Sequence, residues 1–146
     1  MASSTISTLR TNLNTQLLAR GNLSNVKVFR HLVDASEALV NEDRIWIGGW
    51  EADQSHHAMG GSRNEQYTLS GGVAVWRSGN GDETADAAEV RAIALLKEIE
   101  DQLRADETVN SAVEHAQVDS YDATEVATAE ARGCVIEWKI SVLTFI

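Results

Sequence analysis

Apolar residues near the start of the chain fall at Ile6, Leu9, Leu13 and Leu17, the i, i+3, i+7, i+11 spacing of one helix face. Ser4 is placed to cap that helix and Gly21 to end it. A short β-like run follows at Val26-Lys27-Val28-Phe29, and residues 31–42 fit either a helical turn or a loop. RIWIGGW, residues 44–50, reads as a strand that stops at its glycines. Residues 51–64 (EADQSHHAMGGSRN) are polar and aperiodic, which predicts a mobile loop. Over residues 65–77 the pattern alternates again, with Tyr67, Leu69, Val73 and Val75 on one parity. The Gly71-Gly72 pair inside that run marks an expected bulge or bend.

A second helix is expected over residues 83–104, about 33 Å long at ~1.5 Å per residue. Its stripe is Ala85, Ala88, Ala92, Leu96, Ile99 and Leu103, small at one end and bulky at the other. The turn Ser78 to Gly81 precedes it, with Asp82 as the expected cap. A strand, a glycine turn and a helix N-terminus resemble a phosphate cradle, but Asp82, Glu83 and Asp86 already occupy the positive end of the helix dipole. No lysine follows the glycines as a P-loop requires, so this loop is a connector. Residues 109–118 begin as a turn and become a strand, and residues 120–131 read as an exposed hairpin connection. The last fifteen residues alternate cleanly, Cys134, Ile136, Trp138, Ile140 and Val142 against Glu137, Lys139 and Ser141. The expected architecture is a single α+β domain, residues 1–146. It has a mostly antiparallel sheet of four or five strands with two helices packed on one face.

This pattern leaves a difficulty on the second face of the sheet. Trp46 and Trp50 have the opposite parity to Ile45 and Ile47, and Trp76 the opposite parity to Val73 and Val75. An indole buries on the order of 200 Å², so three left in water would favour aggregation. Either loop 51–64 covers them, or a bulge at Gly48 or Gly71 swaps the parity, or Trp46, Trp50 and Trp76 form a subunit interface.

Charge narrows the range of partners. Residues 82–130 carry fourteen carboxylates and three bases, a balance of −11, while the whole chain carries −10. Such a surface repels nucleic-acid phosphates and argues against binding by counterion release. Solubility is the ordinary use of acidic excess, and a surface past which DNA slides without sticking has the same composition. The lone Cys134 excludes an internal disulfide and sits in an apolar strand, where it serves as a small hydrophobe. His56 and His57 are adjacent and diverge in extended chain, and neither they nor His31 and His115 have partners at metal-ligand spacing. No catalytic motif, cofactor site or metal site emerges, so the expectation is a non-enzyme. The first residues show no signal-peptide core and no run approaches a membrane span, which predicts a soluble cytoplasmic chain without membrane contact.

Taken in order, the amphipathic first helix, RIWIGGW, EQYTLSGGVAVWRSGNGDETADA, AAEVRAIALLKEIEDQLRAD, ETVNSAVEHAQVDSY and RGCVIEWKISVLTFI resemble the tail-terminator (tail-completion) proteins of long-tailed bacteriophages. The resemblance spans nearly the whole chain and rests on element order rather than on catalytic residues. Within DETVNSAV, residues 106–113, this sequence has Val109-Asn110-Ser111 where family members often have a Leu-Gly-Gly turn. The family's proline-bearing segment before its first strand is absent here. The resemblance implies a structural virion protein, assembled in the host cytoplasm into a hexameric ring at the head-proximal end of the tail tube. Such a ring stops polymerisation of the tube protein and offers a surface to the head-tail connector or stopper. DNA passes through it without being specifically bound. On this view Glu114, Asp119, Asp122, Glu125 and Glu130 are candidate lumen-facing acids. A head-tail adaptor or stopper is the nearest alternative. A small-ligand-binding α+β module and a dimer formed through the edge strand at residues 132–146 are the others.

Overall fold

The computed structural model describes residues 2–34, 42–53 and 64–145. Its elements are α1 (Ala2–Leu18), a 3-10 turn (Gly21–Leu23), β1 (Val26–Phe29), β2 (Asp43–Asp53), β3 (Asn64–Ser78), α2 (Asp82–Ala105), β4 (His115–Ala127) and β5 (Ala131–Phe145). The five strands form one sheet in the order β1-β2-β3-β5-β4. The chain is α+β, as its alternating patterns predict.

The sheet is mixed, which corrects the antiparallel expectation. β1 pairs with β2 in parallel, and every other pair is antiparallel. Thirteen residues separate Phe29 from Asp43, enough for a crossover between parallel neighbours. Residues 35–41 of that crossover lie outside the described residues.

One buried cluster joins Ile6, Leu9, Leu13 and Leu17 of α1 to Ala88, Ala92, Leu95, Leu96, Ile99 and Leu103 of α2. The strand residues in the same cluster (Ile45, Ile47, Leu69, Val73, Val75, Ile136 and Ile140 among them) share one face by register. The predicted stripes of both helices are therefore buried, with Leu95 added and Ala85 only half-buried. The caps differ. α1 begins at Ala2, so Ser4 lies inside it, and its end passes into the 3-10 turn that starts at Gly21. Gly81 occupies the N-cap of α2 in extended conformation, and Asp82 is the first helical residue. There its carboxylate favours the helix dipole without a capping hydrogen bond.

Strand lengths also differ from the sequence pattern. β2 continues through Asp53, and residues 54–63 of the polar segment, with His56 and His57, lie outside the described residues. β4 runs to Ala127, so most of the expected hairpin connection is strand. Its second half pairs only with β5 and is exposed on both faces, so it needs no apolar alternation to hold its register.

Among the described residues, the turn after α2 holds the non-glycine residues with left-handed backbone. Val109, Asn110 and Ser111 all have positive φ (48°, 56° and 63°), the left-handed conformation glycine adopts freely. A left-handed L-residue costs roughly 1–2 kcal/mol. The Asp106 carboxylate offsets this by accepting from the Asn110 N–H (2.8 Å), the Thr108 N–H and hydroxyl (3.2 and 2.8 Å) and Gln16 Nε2 (2.9 Å). Asn12 Nδ2 donates to the Val109 carbonyl, and the Val109 side chain is fully buried. Ser111→Gly should raise stability by about 1 kcal/mol in urea unfolding, because glycine removes the Cβ clash there. Asp106→Ala should lower it. A Ser111→Gly protein less stable than wild type would show that the turn is not strained.

Candidate interaction surface

The tryptophans locate the surface that the chain hides and the surface that it leaves open. Trp46 is 4 % exposed, Trp76 2 % and Trp138 0 %. Each stands opposite a glycine on the neighbouring strand: Trp46 pairs with Gly72, Trp76 with Gly133 and Trp138 with Gly71. A Cβ on Gly72 would overlap the Trp46 ring, one on Gly71 the Trp138 ring, and one on Gly133 would approach Trp76 at 2.6 Å. The indoles lie flat on the sheet in the space left by the missing side chains. Gly71 and Gly72 are adjacent because tryptophans approach them from opposite faces. They mark no bulge, since β3 and β5 stay in register from Asn64 to Ser78.

The irregularity sits instead in β2. Ile47 pairs with Gly71 but Trp50 pairs with Leu69, so two residues, Gly48 and Gly49, oppose one, Ser70, and β2 carries one extra residue. The bulge moves Trp50 to the face of Leu69, opposite Trp46. This is the parity swap at Gly48 that the sequence pattern allows. Among the three candidate interface residues, Trp46 and Trp76 are enclosed by their own chain and offer almost no surface to a neighbour. Arg44, on the Trp46 face, donates to the Asp34 carbonyl at 2.7 Å. Trp50 is 47 % exposed at the far end of β2 and remains available.

Other apolar side chains reach solvent. They are Val90 and Ile93 on α2, Tyr121 on β4, Leu18 at the end of α1, and Leu32 after β1. Val90 and Ile93 fall outside the buried stripe of α2, so their exposure could be read from the sequence. The candidate acids Glu114, Asp119, Asp122, Glu125 and Glu130 are all exposed, on β4 or at its two ends.

Burial, with the charges of Glu89 and Glu125, pushes the Cys134 thiol up, which opposes a thiolate role. His115 faces Glu107 (3.2 Å) and Gln117 (3.3 Å) beside a shallow cavity of about 170 Å³ between α2 and β4. His31 Nδ1 lies 2.8 Å from Arg10. Among the described residues no group of His, Cys, Asp and Glu could hold a metal, and no helix is long and apolar enough to cross a membrane.

One ionic cluster ties the sheet to α2. Asp43, 8 % exposed, accepts from Arg77 (2.8 and 3.3 Å) and from Arg91 Nε (2.9 Å). Burial raises the Asp43 pKa, but the two guanidinium groups outweigh it and hold the carboxyl below its usual range. The Asn110 N–H and the Thr108 hydroxyl hold Asp106 low in the same direction. Both carboxyls bind protons less readily folded than unfolded. Their stabilisation is therefore complete above about pH 5 and is lost as the pH falls below about 4. Acid titration of stability should show this loss, and Asp43→Asn should flatten it. An unchanged acid limb in that variant would remove Asp43 from the account.

No protein-family model matches the chain and no curated protein matches it. Among solved structures it is similar to a chain of the "Virion of native gene transfer agent (GTA) particle", at 13 % identity and a TM-score of 0.44, over 92 % of this chain and 93 % of that one.

Proposed function

We propose that this chain is a structural component of a phage-like particle, a tail-terminator-type subunit whose ring ends growth of the tail tube and presents a joining surface to the head. The order of its elements carries this reading. An amphipathic helix, a glycine-bulged strand, a long tryptophan-bearing strand, a long helix, an acidic strand and a closing strand follow one another as in the tail-terminator family. Apolar side chains exposed at several separate places (Trp50, Tyr121, Ile93 and Leu32) support it, because a subunit held between neighbours needs contacts on more than one side.

The test is tube length. Tail-tube subunits of the same particle, polymerised with the chain present, should give short tubes of narrow length distribution. An unchanged distribution across a wide range of chain concentration would contradict termination.

A further inference from the structure

The two edges of the sheet differ in charge, and among the described residues several charges on each edge have no ion-pair partner. On the β1 edge, Arg10 Nη1 donates to the Arg30 carbonyl (3.0 Å) and meets His31, with no acid of the described residues joining them. Neither Arg10 nor Arg30 has an ion pair among the described residues, while Lys27 nearby pairs with Glu42. The first acid in the sequence is Asp34, after four bases. Leu32, 76 % exposed, stands beside this cluster.

On the β4 edge the signs reverse. Asp119, Asp122 and Glu125 are exposed and have no ion pair among the described residues. Tyr121, 61 % exposed, sits between them. Glu100 and Arg104 of α2 line the same cavity as Ala116 and Val118 of β4, which fixes the side of α2 that faces this edge. Ile93, 51 % exposed, lies two turns back along that side. β1 and β4 are the two ends of one sheet, and among the described residues no strand pairs with either outer edge.

We infer that the β4 edge of one copy packs against the α1–β1 edge of the next, with Asp119, Asp122 and Glu125 facing Arg10 and Arg30, and Tyr121 and Leu32 supplying the apolar contact. The occupant of the acidic edge is thus a second copy of this chain. A contact between opposite ends of one molecule is heterologous, so it propagates from copy to copy and closes into a ring when the rotation permits. The inference deepens the ring reading above and rests on it. It also moves the acids of β4 from a channel wall to a subunit junction.

Cysteine cross-linking of the isolated chain tests it. A protein carrying His31→Cys together with Ser120→Cys or Thr124→Cys, in a Cys134→Ala background, should form disulfide-linked trimers and larger species on oxidation. Each single-cysteine variant should give dimers at most. At low ionic strength, adding Arg30→Glu should cut the larger species about threefold or more, and a further Asp122→Arg should restore them. Products no larger than dimers, or a ladder indifferent to Arg30→Glu and its charge swap, would overturn the interface. The test uses no tube protein, so its outcome is separate from that of the tube-length assay. A ladder without tube shortening keeps the interface and removes the terminator, and short tubes without a ladder do the reverse.

Discussion

Gly72→Val should unfold this protein or leave it about 3 kcal/mol less stable, an effect at the upper end of the range for overpacked cores. All three atoms that a Cβ at Gly72 would first meet belong to the Trp46 ring, which is itself buried and has nowhere to retreat. The cost is therefore steric and local, and it should be relieved from the other side of the contact. Trp46→Leu, destabilising alone, should recover part of the loss when combined with Gly72→Val, a coupling visible in a double-mutant cycle. Gly71 supplies the contrast. A Cβ there meets the Trp138 ring and also the backbone carbonyl of Trp46, which no side-chain substitution moves. Trp138→Leu should rescue Gly71→Val far less well. Chemical denaturation of the six variants measures both cycles, and full additivity at Gly72 would refute the ring-over-glycine packing.

The second large effect separates two tryptophans that lie four residues apart. Trp46→Ala should cost about 3–5 kcal/mol, the usual loss for a buried aromatic truncated to alanine, and should also leave Gly72 without its cover. Trp50→Ala should change stability by less than about 1 kcal/mol, since nearly half of that side chain is already in water. If Trp50 meets the tube or a neighbouring copy, its loss should appear in assembly instead, as tubes of near-uncapped length made by a protein with a normal melting temperature. Thermal unfolding and tube measurement on the same two preparations distinguish the roles. A Trp50→Ala protein that caps as well as wild type would remove Trp50 from the interface.

Periodicity made the helices and the helix-facing side of the sheet legible. Ile6 to Leu17 and Ala88 to Leu103 are buried as their spacing requires, and Cys134 to Val142 alternate as written. Three features were not legible, each for a physical reason. The parallel pairing of β1 with β2 depends on the path of a crossover and leaves no trace in four residues of alternating pattern. The pairing of each buried tryptophan with a glycine depends on register between strands as far apart as Trp76 and Gly133, which local pattern does not encode. The second half of β4 lacks a buried apolar face because it is a largely exposed edge, so its strand character comes from pairing with β5. Parity read through Gly48-Gly49 placed Trp50 beside Trp46, and the bulge reverses it. In the candidate surface, the acids were visible as charge. The exposed Tyr121, Val90 and Ile93 were signalled only by being apolar at positions that no buried stripe claims.

On the proposed reading the chain acts by occupying a tube end. Tubes grown in its presence, with the chain carrying an electron-dense label at an exposed position away from the proposed junction, such as Ala87 on α2, should show label at one end of each tube and none along its length. Label scattered along the walls, or absent from tubes altogether, would contradict the account.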